Sequence, residues 1–189
     1  MDWLVRAGWM AWPLAACALC ALGLFLERWF ALAAGRVLPS EWTASVLAGL
    51  RTGENVSDHA DVAAHRLVVA LGPGAERRRE RVHEAGQRLV GEMERGVSWL
   101  GTIAALAPLL GLTGTVLGMI NVFRRITEMG GGDAQVLAGG IWMALVTTVI
   151  GLLVAMPTLV LHRLLQGRVR ARVAELEQFA DDLIDAAEQ

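Results

Sequence analysis

The chain is short and apolar: it has 189 residues, of which 54% are hydrophobic and 19% charged, and its formal net charge is −2. The charged share lies below the roughly 25% of soluble domains, which argues against a disordered chain, a disulfide-stabilised scaffold and a free-standing soluble enzyme. The small net charge supplies no basic field of the kind that attracts nucleic acid, so we predict no nucleic-acid partner.

Three segments are long enough to cross a bilayer. They comprise residues 7–26, 96–123 and 134–161, and none of them contains a charged residue or a histidine. About 20 apolar residues in a helix span the hydrocarbon of a membrane. The second and third segments exceed this length, so we expect them to tilt or to extend beyond the headgroups. The pattern predicts an all-α integral membrane protein with three transmembrane helices in a lipid bilayer.

The first segment contains two short patterns that have alternative interpretations. Leu14-Ala15-Ala16-Cys17 is similar to a lipoprotein cleavage box, but the uncharged sequence continues to Leu26, so we predict a retained span. Cys17 and Cys20 have a CxxC spacing, which within lipid is typical of two small apolar residues on one helix face. We predict neither a metal site nor a cofactor.

Arginines near the ends of the spans predict the orientation. They are concentrated beside the loop that joins the first two spans and after the third span, whereas only Arg6 and the pair Arg124–Arg125 lie at the opposite ends. By the positive-inside rule, the N-terminus lies outside and the loop and C-terminus lie in the cytoplasm. The predicted segments are an outer N-terminus with the first span at 1–34, a cytoplasmic helical loop at 35–96, the second span at 97–123, a short outer loop at 124–133, the third span at 134–162 and a cytoplasmic C-terminal helix at 163–189.

The cytoplasmic segments carry helical patterns. Ser40 is placed to cap a helix over 41–50 that ends at Gly53, and a second helix over 55–71 ends at Gly72-Pro73-Gly74. We expect the charged segment 75–95 to run into the second span as one long helix. The tail is predicted to extend the third span as an amphipathic helix that packs on 75–95, either in its own chain or in a neighbouring subunit. Its apolar positions are Leu165, Val169, Val173, Leu176, Ala180, Leu183 and Ala187.

Residues that enzymes use do not occur in recognisable arrangements. His59, His65 and His83 lie in the polar loop, and His83 lacks the second histidine four residues on that zinc proteases need. The sequence contains neither a glycine-rich phosphate loop after a strand nor a GxSxG nucleophile motif. We therefore predict surface histidines and no enzymatic activity.

Small residues recur along the second and third spans. Gly111, Gly114 and Gly118 lie three and four residues apart, and the third span repeats the theme with Gly139, Gly140, Ala144, Gly151 and Ala155. Such patterns allow membrane helices to approach closely, and tight packing alone would explain the glycines. The hydroxyl groups discriminate better, because Thr115 and Thr148 fall near mid-span. The alternative is that each threonine only bonds its own helix.

The two spans resemble a known family. They read APLLGLTGTVLGMI at 107–120 and GIWMALVTTVIGL at 140–152, followed by AMP at 155–157, and the first span ends in Leu26-Glu27-Arg28. These blocks resemble the MotA/TolQ/ExbB proton channel family, and most closely its ExbB members. The likeness covers nearly the whole chain and includes its topology and loop placement.

The resemblance implies a motor subunit of the bacterial inner membrane, with the N-terminus in the periplasm. Such proteins form a homopentamer whose second and third helices line a central pore around two copies of a single-span partner, ExbD, which carries an essential Asp. Proton flow through that Asp energises TonB, which acts on outer-membrane transporters. TolQ-type members energise TolA instead, and a non-conducting membrane scaffold is a further alternative.

The resemblance also implies roles for particular residues. Thr115 and Thr148 match the family's pore threonines, with Thr147 beside the latter, and Pro108 and Pro157 match prolines that open the backbone ladder to water. Met143 stands where many relatives have Glu or Gln, which leaves the ion pathway open. Independently of the family, proton relays through a membrane need an ionisable group at depth. Because the second and third spans contain none, we expect the titrating group to belong to another chain.

Overall fold

The computed structural model describes residues 11–32, 38–52, 64–72, 77–129 and 134–188. The regular elements in these ranges are five α-helices: α1 (Ala11–Ala31), α2 (Ser40–Thr52), α3 (His65–Leu71), α4 (Arg78–Met129) and α5 (Ala134–Glu188). Within the described residues there is no strand, which confirms the predicted all-α class.

Three of these helices could cross a membrane by length and composition. They are α1, α4 and α5, and each contains a long apolar stretch with few charges. This confirms the three predicted spans. With 52 and 55 residues, α4 and α5 are each about 80 Å long at 1.5 Å per residue, well over twice the thickness of the hydrocarbon.

Helices α4 and α5 are continuous, as the sequence predicted. The charged segment after Arg78 enters the second span without interruption, and the third span likewise continues into the tail up to Glu188. The shorter helices agree in part: α2 contains the predicted 41–50 helix, and α3 forms the C-terminal part of the predicted 55–71 helix. The side chain of Ser40, Gly53, residues 55–63 and Pro73-Gly74 lie outside the described residues. Gly72 ends α3 with a φ of 45°, a left-handed value that favours glycine.

The chain divides into two compact units. The apolar unit combines the residues up to Phe25 with Ser98–Arg163, and the polar unit combines Leu26–Val97 with Leu164–Gln189. In the apolar unit, a core of buried side chains joins all three spans: Leu14 of α1, Ala107 of α4 and Ala155 of α5. Two of these three residues are alanines, so the helices meet through small side chains, as is usual in membranes.

In the polar unit, the C-terminal half of α5 packs on the N-terminal part of α4. The guanidinium Nη1 of Arg78 donates a hydrogen bond to the Ala187 carbonyl at 2.7 Å, which satisfies one of the last carbonyls of α5. Both helices also line a groove of about 890 Å³, with Val82 and Val90 on one side and Leu176 and Ile184 on the other. The predicted contact of the tail with this helix is therefore confirmed within a single chain.

Arginines attach the shorter elements of the polar unit to α4. Arg81 donates hydrogen bonds from Nε to the Ala70 carbonyl at 3.1 Å and from Nη2 to the Leu71 carbonyl at 2.8 Å, which caps α3. Arg28 at the end of α1 lies directly over Gly96, and its Nη1 donates to the Glu92 carbonyl at 3.2 Å. Only a residue without a side chain leaves room for a guanidinium here.

Within the same unit, contacts of aromatic rings join α1 and α2 to the C-terminal part of α5. The guanidinium carbon of Arg168 stands 3.2 Å from the ring centroid of Trp29, which is a cation–π contact. The buried ring of Trp42 on α2 lies 5.8 Å from that of Phe179, measured between centroids. These contacts hold α1 and α2 against the tail.

Candidate functional site

Helices α4 and α5 approach most closely where two glycines face each other. A Cβ atom built on Gly151 would lie 2.7 Å from the Ala107 carbonyl oxygen and 3.0 Å from the Cα of Gly111. One built on Gly111 would lie 2.9 Å from the Thr147 carbonyl oxygen. The obstructing atoms belong to the backbone, which has no rotamer to change, so both positions require glycine.

The other small residues of the two spans take different positions. A Cβ on Gly118 would stand 3.0 Å from the Cβ of Ala144, and Gly140 lies against Val122. Gly114 is buried. Gly139 has no atom within 4 Å of the position of a Cβ, so it takes no part in this contact. The structure thus brings most of the small residues together and leaves Gly139 out.

Two adjacent hydroxyl groups lie where α4 and α5 cross at Gly111 and Gly151, a point that we call the glycine crossing. The Oγ1 atoms of Thr147 and Thr148 are each 3.3 Å from the same acceptor, the Gly111 carbonyl oxygen on the neighbouring helix. Thr147 is only 4% exposed, and its hydroxyl donates to the nearer Ala144 carbonyl at 2.7 Å. Thr148 is half-buried, and Gly111 is the acceptor of its hydroxyl.

Thr115 lies on the same side of α4 as Gly111, one helical turn further along, and is half-buried. Its hydroxyl donates to the Leu112 carbonyl at 2.6 Å. Thr113 differs in position, because two residues from Gly111 corresponds to a rotation of about 200° around the helix. Its exposed hydroxyl donates to the Leu109 carbonyl at 2.8 Å.

The predicted prolines lie inside continuous helices. Pro108 is half-buried in α4 and Pro157 is exposed in α5. Because proline has no N–H, the carbonyl four residues earlier loses its helical hydrogen bond. Pro108 therefore leaves the Ala104 carbonyl without its helical partner, and Pro157 does the same for that of Leu153. These carbonyls are polar positions in otherwise apolar spans.

Large apolar side chains cover the outer faces of the apolar unit. The exposed set on α4 and α5 would need lipid or another protein to cover it. Trp12 on α1 and Trp142 on α5 are among the most exposed of these side chains, at 80% and 68%. The exposed set is Trp99, Leu106, Leu109, Leu112, Val116, Ile120, Phe123, Trp142, Leu145, Val149, Leu152, Leu153, Met156, Leu159 and Val160.

A sequence profile of the MotA/TolQ/ExbB proton channel family matches residues 54–178, which is well over half of the chain. The chain belongs to this family. Its three long apolar helices fit a family of membrane transport components. In the described residues, no cluster of three or more His, Cys, Asp and Glu side chains could hold a metal ion.

Both the ExbB and the TolQ members of the family are similar to the chain. An ExbB-like biopolymer transport protein of Synechocystis is 32% identical over 203 aligned positions, which cover 95% of the chain and 74% of that relative. The Tol-Pal system protein TolQ of Haemophilus influenzae is 34% identical over 98 positions, 52% of the chain and 43% of TolQ. ExbB of Salmonella typhimurium is 36% identical over 92 positions, 49% of the chain and 38% of ExbB. The chain thus spans about three quarters of the first relative and less than half of the other two.

Sequence reasoning missed two features of this family member. The first is the Gly111 carbonyl, which accepts hydroxyl groups from the facing helix; a glycine one turn before Thr115 was the available signal. The second is the contact in the polar unit between the Arg28 guanidinium and the backbone at Gly96. A glycine at the boundary between the charged segment and the second span could have suggested a close approach at that point.

Proposed function

We propose that this chain is the proton-channel subunit of an ExbB-like motor in the bacterial inner membrane, which couples the proton motive force to TonB-dependent outer-membrane transport. Membership of the proton channel family supports the channel role, and the similarity to ExbB proteins supports the branch. The observation that carries the proposal is the group of hydroxyls at the glycine crossing. In spans without a charged residue, Thr115 and Thr148 supply polar groups on the contacting sides of α4 and α5.

The proposed conduit is lined by Thr115 and Thr148, with Thr147 behind them as part of the helix contact. Neither span contains an ionisable group between 96 and 123 or between 134 and 161. A proton that crosses the membrane needs such a group at depth. The proposal therefore requires an acid from a partner, namely the Asp of an ExbD-like single-span protein. One elementary charge moved across 100 mV releases ~2.3 kcal/mol, which is the energy available to each step of the motor.

In the proposed assembly, five copies surround the partner, and a TonB-like protein receives the motion. The N-terminus lies in the periplasm, and the C-terminal helix lies in the cytoplasm. The exposed apolar faces of α4 and α5 support this arrangement, because copies of the chain, the partner and lipid would cover them. The arginines at the ends of the spans support the orientation.

The test compares two valine substitutions in α5. Thr148→Val removes a hydroxyl of the proposed conduit, whereas Thr158→Val removes one that is buried and bonded to its own Val154 carbonyl at 2.7 Å. With the ExbD-type partner in liposomes, we expect proton flux to fall at least tenfold in the first variant and to stay within twofold in the second. Size-exclusion chromatography checks that both complexes assemble. Undiminished flux in an assembled Thr148→Val complex would contradict the proposal.

A second candidate is a TolQ-like motor for the integrity of the cell envelope. The similarity to TolQ of Haemophilus influenzae, at 34% identity, favours it specifically. Complementation separates the two roles. We expect the chain and its partner to restore TonB-dependent uptake in a strain that lacks ExbB, ExbD, TolQ and TolR. Restoration of detergent resistance alone in that strain would assign the TolQ role.

A further inference from the structure

The groove between α4 and α5 in the polar unit has an apolar floor. Val82, Leu176 and Ile184 are buried beneath it, and its volume is about 890 Å³. Gly91 also lines the groove, and a Cβ built on this residue would have no atom within 4 Å. Space therefore remains for side chains that come from another molecule. An apolar groove of this size is suited to bind the apolar side of a partner.

The rim of the groove is acidic. Its exposed carboxylates are those of Glu80, Glu94, Glu177 and Asp181. Among the described lining residues, the basic side chain is that of Arg79, so four acids against one arginine give a formal charge of −3. His83 is the other titratable group of the lining and is counted as neutral. None of the four carboxylates forms an ion pair with a described residue, which leaves them available to a partner.

The acids on the same part of α4 that lie outside the groove are paired. Glu84 forms an ion pair with Arg88 at 3.7 Å, and Glu92 forms one with Arg66 at 2.7 Å. Neither of these two acids lines the groove. The free carboxylates of this part of α4 are therefore the ones that face the groove.

We propose that the groove binds a basic segment of the single-span partner, namely the part that leaves the membrane on the cytoplasmic side. The inference rests on the proposed function, which requires such a partner. By the positive-inside rule, the cytoplasmic flank of a span carries an excess of Lys and Arg within about 15–20 residues of its end. The cations of this flank would pair with the free carboxylates, and its apolar side chains would cover the floor.

The groove lies at the distance from the membrane at which such a flank occurs. Glu94 is two residues before the uncharged segment 96–123, and Arg79 is 17 residues before it. Because α4 is continuous, the groove extends along this helix for about 22 Å, at 1.5 Å per residue. A helical segment of about 15 residues, or an extended one of about seven, has the same length.

Charge also argues against two other occupants, a second copy of the chain and anionic lipid. Residues 175–188 of α5 contain six acids and no basic residue. A second copy brings the same acidic run with it, and the phosphates of lipid headgroups are negative as well. Like charges brought together across an interface disfavour binding. A basic peptide segment is the occupant that charge complementarity selects.

Photo-cross-linking in the assembled complex identifies the occupant. p-Benzoylphenylalanine replaces Gly91 in the groove or, as the control, Asp182, which is exposed on α5 but does not line the groove. After illumination of the complex with the ExbD-type partner, mass spectrometry should find position 91 joined to the partner's cytoplasmic flank. Position 182 should give little of this product. Cross-links from position 91 to another copy or to lipid alone, equal yields at both positions, or no cross-link would each overturn the proposal.

Charge reversal measures the contribution of the rim. The test variant combines Glu177→Lys with Asp181→Lys, and the matched control combines Asp182→Lys with Asp185→Lys on the same helix outside the groove. Fluorescence anisotropy follows the binding of a labelled peptide with the sequence of the partner's flank to the purified chain. We expect the Kd to rise roughly tenfold or more in the test variant and to stay within about threefold in the control. High salt should reduce the difference, and an equal change in the two variants would contradict the acidic rim as the binding site.

The groove and the channel can fail separately. A complex that assembles and conducts protons, but gives no cross-link from position 91, would overturn the groove and leave the channel role in place. An unsubstituted chain that does not assemble with the partner would contradict the proposed function itself. A partner whose cytoplasmic flank has no excess of Lys and Arg would overturn the inference from its sequence alone. If the variant at Gly91 does not assemble, p-benzoylphenylalanine in place of Glu177 makes the same test.

Discussion

Gly151→Ala tests whether the α4–α5 crossing depends on direct backbone contact. The added methyl group would lie 2.7 Å from the Ala107 carbonyl oxygen and 3.0 Å from the Cα of Gly111, whereas ordinary contacts begin at 3.4 Å. The helices must therefore move apart by several tenths of an ångström. Overpacking of this kind costs about 1–3 kcal/mol. The gain from replacing glycine within a helix, roughly 0.5–1 kcal/mol, does not offset that cost.

Gly139→Ala is the matched control on the same helix, because its methyl group would meet no atom within 4 Å. This variant should receive only the gain in helix propensity and should be slightly stabilised. Thermal unfolding of the purified proteins in detergent, followed by circular dichroism, should therefore give changes of opposite sign. Proton flux should fall in Gly151→Ala, because separation of the helices stretches the Thr148 hydroxyl away from its 3.3 Å contact with Gly111. A Gly151→Ala protein as stable as Gly139→Ala would refute this account of the crossing.

Two predictions concern the polar unit. Gly96→Ala should displace the Arg28 guanidinium, whereas Gly91→Ala adds a methyl group that has no atom near it. Both gain helix propensity, so thermal unfolding should find Gly96→Ala about 1 kcal/mol less stable than Gly91→Ala. An equal change in stability in the two variants would contradict the proposed contact between Arg28 and Gly96. Arg81→Ala should remove both hydrogen bonds to the end of α3 and make the backbone near Leu71 a faster site of limited proteolysis. Cleavage there at the unmodified rate would show that the cap does not hold α3.

The helices could be predicted because the decisive signals are local. The uncharged segments end at charged residues such as Arg95 and Arg124, so the spans follow from the cost of burying charge in lipid. The continuity of α4 could also be predicted, since the residues on either side of Gly96 keep a helical pattern. That of α5 could be predicted from the helical spacing of the apolar residues in the tail. The family was accessible for a similar reason: its glycine and threonine blocks lie within single helices.

The contacts of the site could not be predicted, because they depend on how two helices align. The sequence places Thr148 near mid-span but does not say which carbonyl of α4 stands opposite. That depends on the crossing point, which the pair Gly111 and Gly151 sets through backbone contact. Gly139 is a second example, since it belongs to the small-residue pattern of the third span and yet has open space where a side chain would lie.

The Gly111 carbonyl stands equally close to two neighbouring hydroxyls, but the two are not equally free to bond to it. The single hydroxyl proton of Thr147 is directed to its own Ala144 carbonyl at 2.7 Å, so Thr147 can replace Thr148 at Gly111 only by turning away from that acceptor. Because the two threonines share one acceptor, the effects of the single replacements will not sum to that of the double replacement. In the proposed channel, Thr148 is then the hydroxyl available to the conduit, and Thr147 belongs to the helix contact.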